Sequence, residues 1–172
     1  MASDPAVPTG APATGRGGLT HVRADGTAHM VDVSGKPVTA RRAAAAGRVL
    51  LSPAAVSALR DGVVPKGDAL GVARVAGIQA VKRTPDLVPL AHPVAVHAVE
   101  VDLDVVDEGV EFRAVVRTAD RTGIEMEALT AVAVAALALI DMVKAVDKHA
   151  RITDVRVTAK SGGRSGDWEE GA

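Results

Sequence analysis

Val99-Glu100-Val101-Asp102-Leu103-Asp104-Val105, the turn Asp107-Glu108-Gly109, and Val110-Glu111-Phe112-Arg113-Ala114-Val115-Val116 together decide the fold. Val99, Val101, Leu103 and Val105 alternate with Glu100, Asp102 and Asp104; Val110, Phe112, Ala114 and Val116 alternate with Glu111, Arg113 and Arg117. A period of two is that of a strand with one face buried and the other in water. Two such runs joined by a short glycine-containing turn form a hairpin, here residues 94–106 against 110–118. Asp102 then falls opposite Arg113, an ordinary cross-strand pair. The acidic stripe is accordingly read as a solvated sheet face rather than a metal or acid–base cluster.

Upstream of the hairpin, residues 38–51 read as extended. Ser52 and Pro53 then open a short helix that runs to about Arg60 and closes at Asp61-Gly62. A second helix begins at Asp68 and stops before Thr84, because Pro85 forbids its continuation. Its Gly71, Ala73, Ala76, Gly77 and Ala80 permit close approach of another backbone. Downstream, a long helix is expected over about 123–149. A last strand follows at 152–160, with Val155, Val157 and Ala159 on one face. The order is strand, two helices, hairpin, long helix, strand. It predicts an α+β fold, a ferredoxin-like sandwich with an antiparallel sheet and helices on one face.

The chain has 172 residues, enough for one domain with a real core. It holds one Phe, one Trp and no Tyr, so Val, Ala, Leu and Ile must fill that core. Cysteine is absent, which excludes disulfides, thiolate catalysis and Cys-ligated metals. A net charge of −1 gives no global field to recruit nucleic acid, so an anion site needs local clustering. Residues 1–18 lack a secretory pattern and read as a flexible arm; 19–167 form the domain, and 168–172 a flexible tail. The longest apolar run, residues 128–140, is too short and Ala-rich to span a bilayer, so a cytoplasmic protein without a membrane partner is expected.

Five histidines raise the question of a metal. His92 and His97 are separated by an odd number of residues, which in a strand turns them to opposite faces. No HExxH or comparable ligand spacing occurs, so no metal site is expected. His149 is expected to meet the C-terminal end of the long helix and its dipole. Lys160-Ser161-Gly162-Gly163-Arg164-Ser165-Gly166 can turn backbone amides and two cations toward an anion, although it is not a Walker A loop. On the long helix, Asp141 and Lys144 stand at i, i+3, within reach of each other. Their neighbours Leu137, Leu139, Ile140, Met142 and Val143 predict poor solvation. A lysine with reduced hydration titrates nearer neutrality and becomes useful for proton transfer.

Several segments, taken in order, resemble one family. They are Met30-Val31-Asp32-Val33-Ser34, Lys66-Gly67-Asp68, Ala76-Gly77-Ile78-Gln79-Ala80-Val81-Lys82-Arg83-Thr84 and Pro89-Leu90-Ala91-His92-Pro93. Gly123-Ile124-Glu125-Met126-Glu127-Ala128-Leu129-Thr130, Asp141-Met142-Val143-Lys144-Ala145-Val146 and Lys160-Ser161-Gly162-Gly163 complete the set. Over about residues 19–167 the chain is similar to the cyclic pyranopterin monophosphate synthases of molybdenum-cofactor biosynthesis.

That resemblance implies a ferredoxin-like fold and a homo-oligomer, a hexamer built as a trimer of dimers. It implies a lyase that rearranges (8S)-3',8-cyclo-7,8-dihydroguanosine 5'-triphosphate into cyclic pyranopterin monophosphate with release of pyrophosphate. By motif, Asp141 and Lys144 fall on the principal catalytic positions, with Lys66 as a further lysine and His92 as its polar partner. Leu90, Ala91, His92, Glu125, Met126 and Glu127 fall on substrate-binding positions. Arg41, Lys82 and Lys160 fall on basic positions suited to the triphosphate. No cofactor is implied, with Mg2+ allowed beside the triphosphate. Ala91 stands where the family commonly has cysteine and Arg164 where it has lysine; the second change keeps the charge. Two rival readings are a catalytically silent nucleotide-binding homologue and a ferredoxin-like RNA-binding module. The latter stacks bases on strand aromatics, which this chain barely possesses.

Overall fold

The computed structural model describes residues 21–23, 25–164 and 166–171. The expected arm at 1–18 lies outside them. The chain divides into two compact units, Met1–Val31 and Asp32–Ala172. In the first, Val22 and Ala28 form an antiparallel bridge around Gly26, whose φ of +84° suits glycine. The Asp25 carboxylate accepts from the Thr27 amide at 2.9 Å and the Thr27 hydroxyl at 2.6 Å.

The second unit contains β1 (Thr39–Leu50), α1 (Pro53–Arg60), α2 (Ala69–Val81), α3 (Thr84–Leu87), β2 (Val96–Val106), β3 (Gly109–Asp120), α4 (Glu125–Val143), β4 (Arg151–Ser161) and β5 (Trp168–Glu169). The strands form one antiparallel sheet in the order β2-β3-β1-β4-β5. The hairpin has the expected register, with Asp102 opposite Arg113. On its solvated face Glu100 pairs with Arg117, and Arg48 of β1 with Glu111. The alternate residues Val101, Leu103, Val110, Phe112, Ala114 and Val116 are buried beneath the helices. This is the α+β sandwich expected from the alternation.

Close packing depends on small side chains. Ala128, Ala131, Val132, Ala135, Ala136 and Leu139 of α4 are fully buried. A Cβ on Gly77 of α2 would lie 2.9 Å from the Ala131 carbonyl oxygen, and one on Gly47 of β1 would lie 2.7 Å from Val132 Cγ1. Glycine is therefore required at both crossings. By length and composition alone α4, at 19 residues, could cross a membrane, contrary to the sequence expectation. Here it is the central core helix.

Caps place the helices as expected: Ser52 Oγ accepts from the Ala55 amide, and the Asp68 carboxylate accepts from the Gly71 amide at 2.8 Å. Five expectations change. Pro85 does end the helical run of α2, but it also opens α3, where a first-turn proline sacrifices no hydrogen bond; the Thr84 hydroxyl donates to the Val81 carbonyl at 3.1 Å. α4 stops at Val143 rather than near His149, where the Val146 amide bonds the Val143 carbonyl three residues back and tightens the chain into a turn. His149 therefore meets no helix end; its amide donates to Asp147. In β4 the simple alternation is interrupted by register shifts against β1, with Asp154 at φ 57°, so Val155 is exposed. Finally, Trp168 and Glu169, assigned to the tail, form β5 against Lys160 and Ala159.

Candidate active site

Lys66 and Lys144 converge on one carboxylate. Asp141 lies on the last turn of α4, Lys144 is its C-cap, and Lys66 stands in the α1–α2 loop beside Gly67, whose φ is +93°. Lys66 Nζ lies 2.7 Å from Asp141 Oδ2, and Lys144 Nζ 2.7 Å from Asp141 Oδ1. The Lys144 ammonium, with Lys66 next, holds the Asp141 carboxyl down at about 2. The expected poor solvation is not found: the Asp141 and Lys144 side chains are 56% and 58% exposed. The apolar neighbours point inward while these two point out, since i and i+3 share a face that α4 does not bury. Lys144 therefore has its carboxylate partner, but not a dry pocket.

A cavity of about 600 Å3 opens at the other end of α4. Its walls carry the cations Lys36, Arg41, Arg42, Arg121, Lys160 and Arg164 against a single carboxylate, Glu125. Arg41 Nε donates to the Asp120 carbonyl at 2.8 Å, and Arg121 Nε to the Lys36 carbonyl at 3.0 Å. Each bond fixes a guanidinium by its inner nitrogen and leaves the terminal nitrogens to grip an anion. Lys160 Nζ lies 3.3 Å from Glu125 Oε1. The loop that closes the cavity needs two glycines: Gly162 and Gly163 have φ of +85° and +80°, and side chains there would overlap the Ala40 carbonyl and the Arg41 guanidinium. Six cations around one carboxylate suit a polyanion, not a resident divalent cation. Among the described residues no three His, Asp or Glu side chains group as metal ligands.

Beside Glu125, the start of α4 supplies one further carboxyl, Glu127, and Met126, which is 41% exposed. Glu127 is 3% exposed, and burial pushes its carboxyl up to about 7, with the Glu125 charge adding to the effect. α2 lies antiparallel to α4: Gly77 faces Ala131 and Ala135, while Lys66, just before α2, reaches Asp141 near the α4 C-terminus. Lys82, the exposed C-cap of α2, thus belongs to the end of the helix layer at which α4 begins. Leu90, Ala91 and His92 precede β2, and the Ala95 amide donates to Asp120 at 3.3 Å, next to the cavity residue Arg121. His92 interacts with the Asp32 carboxylate, whose pKa is lowered chiefly by the Ser34 amide.

The residues singled out in the sequence therefore form two groups. Lys66, Asp141 and Lys144 meet at the C-terminal end of α4, while Arg41, Lys160 and Glu125 meet in the cavity. Lys36, Arg42 and Arg121 were not anticipated as site residues. Arg121, directly before the Thr122-Gly123 turn into α4, is the one whose sequence position offered a signal.

The model of the MoaC family matches residues 30–163. The chain is 65% identical over 159 residues to the cyclic pyranopterin monophosphate synthase of Streptomyces avermitilis, covering 92% of each chain. It is 65% identical over 150 residues to the same enzyme of Streptomyces coelicolor, covering 87% of this chain and 88% of that one. The synthase of the more distant Parvibaculum lavamentivorans is 54% identical over 153 residues, covering 88% and 96%.

Proposed function

Because the chain belongs to the MoaC family, we propose that it is a cyclic pyranopterin monophosphate synthase, a lyase of molybdenum-cofactor biosynthesis. Its substrate is the cyclised GTP derivative (8S)-3',8-cyclo-7,8-dihydroguanosine 5'-triphosphate. The reaction opens and recloses rings, forms a cyclic phosphate at the α-phosphorus, and breaks the bond to the β-phosphate so that pyrophosphate leaves.

The single observation that carries this reading is the coexistence, on one α4, of the Lys66–Asp141–Lys144 cluster and the six-cation cavity. Ring opening and closure need groups that give and take protons, and lysines positioned by a carboxylate serve that purpose. Departing pyrophosphate develops charge that cations must meet, which Arg41, Lys160 and their neighbours are disposed to do. Asp141, Lys144 and Lys66 are assigned the proton transfers, and His92, which interacts with Asp32, is assigned to the substrate with Leu90 and Ala91. Leu90, Ala91, Glu125, Met126 and Glu127 are assigned to the pterin-forming part of the substrate, where carboxyls can accept its amino and amide protons. Lys82 adds to the positive field for the phosphates. Any Mg2+ would travel on the triphosphate's own oxygens, and no protein cofactor is involved. A phosphorylated nucleotide as substrate suits a cytoplasmic enzyme.

Glu127 and Asp141 are fourteen residues apart on α4, hence ~21 Å along its axis. One substrate touching both would have to be almost fully extended. An assembly in which one protomer supplies the α4 start and its partner the α4 end removes that demand, and symmetric homo-oligomers such as a hexamer are the usual way to build it. The RNA-binding alternative loses support because Phe112, the one Phe, is 2% exposed, which leaves Trp168 on the two-residue β5 as a lone exposed aromatic where such modules stack two or three bases. Incubation with the cyclised GTP substrate tests the reading. Pyrophosphate and a pterin should appear in equal amounts, with substrate affinity falling as salt rises; substrate returned unchanged would overturn it.

A further inference from the structure

Lys66 and Lys144 reach Asp141 from different parts of the chain, yet the contacts that join them are exposed to water. Exposed ion pairs contribute little and do not keep two chain segments in register. The register must come from elsewhere. Leu59 and Val64 anchor the α1–α2 segment to the core, but apolar contacts are not directional.

A directional tie lies at the far side of the same loop of chain. Asp147, six residues beyond Asp141, is 6% exposed. It accepts from the Ser52 amide at 2.6 Å and from the His149 amide at 2.8 Å. Ser52 is the N-cap of α1, and α1 leads through residues 61–67 to Lys66. The segments 52–66 and 141–147 therefore form a ring, joined by an ion pair at one side and by a sequestered carboxylate at the other.

We propose that Asp147 is a positioning residue: by fastening Ser52 to the turn after α4, it sets where Lys66 and Lys144 stand about Asp141. The inference rests on the lyase reading for its kinetic consequence, but not for its geometric one. Charge-assisted bonds to two amides are strong and short, and the positive end of the α1 dipole favours an anion at this place. The Ser52 amide first, and His149 in addition, lower the Asp147 pKa, so the tie is ionised at neutral pH.

The test uses Asp147→Ala and the isosteric Asp147→Asn in the full chain, with the Asp141 carboxyl followed by carbon NMR alongside steady-state kinetics and melting. In folded Asp147→Ala the Asp141 pKa should rise from about 2 toward its ordinary 3.8 as the lysines drift. With the cyclised GTP substrate, kcat should fall roughly 10- to 100-fold, as small misplacements do. KM should stay within ~3-fold, since the loss lies in the transition state. Asp147→Asn keeps one acceptor oxygen and should show intermediate values of both. A lower melting temperature with Asp141 pKa and kcat unchanged would make Asp147 merely structural and overturn the proposal. If Asp147→Ala does not fold, Asp147→Asn decides by the same two readouts. A wild-type chain that forms no pterin would defeat the lyase reading instead, while the NMR shift would still judge the tie.

Discussion

Glu127 and Asp141 are carboxyls of one helix with opposite electrostatic fates. Asp141 stands in water between two ammonium groups, so its folded pKa, about 2, lies below its ordinary 3.8. It contributes stability that is complete above 3.8 and lost as pH falls toward 2. Glu127 is sealed from water without a cation, so its folded pKa, about 7, lies above its ordinary 4.5. Between those values the folded chain holds a proton that the unfolded chain releases, and stability falls as pH rises through that window. Glu127→Gln should abolish that fall, giving a melting temperature nearly flat from 4.5 to 7 where wild type declines; parallel declines in the two proteins would contradict the burial argument. Lys144→Ala should leave the fold intact and lower turnover ~100- to 10,000-fold, the usual loss for a proton-transfer group. Near-normal activity of the purified variant would remove Lys144 from the chemistry. Its role rests on placement beside Asp141, because its exposure withdraws the dehydration argument.

At the scale of elements, α4 is the piece that organises the site, and its contact with α2 depends on Gly77. An alanine there must displace the Ala131 carbonyl, which lies 2.9 Å from the new Cβ. Overpacking of this kind costs ~1–3 kcal/mol. Better helix propensity returns up to ~1 kcal/mol. The expected result is a net loss, read as a lower melting temperature of Gly77→Ala; an unchanged or higher value would show that the helices separate freely. The hairpin was legible from sequence because its period of two is local and its turn short. The caps Ser52 and Asp68 were legible for the same reason, since each acts within three residues of itself. The end of α4 was not legible: no Gly or Pro marks residues 144–149, and the turn shows only in the Val146 amide folding back onto the Val143 carbonyl.

For the whole molecule, the separation of the two residue groups along α4 predicts that activity is a property of the assembly. Glu127→Ala and Asp141→Ala proteins, each inactive alone, should regain part of the wild-type turnover when mixed under subunit exchange. In a dimer of the two, one hybrid site carries both lesions and the other neither. Exchange verified by mass spectrometry with no recovered turnover would count against sharing, and a monomer in solution would exclude it. The sequence by itself determined the sheet alternation, the α+β order and the Asp141–Lys144 pair, which depend on spacing and residue type that the linear chain carries in full. The family resemblance added Lys66, Arg41 and Lys160 as residues to watch. Only the tertiary structure decided that Lys144 is wet and Glu127 dry, and that Lys66 closes on a carboxylate 75 positions away. It alone brought Lys36 and Arg121, 85 positions apart, together in one cation-lined cavity. Solvation and charge clustering are properties of neighbours in space, and chain packing alone chooses those neighbours.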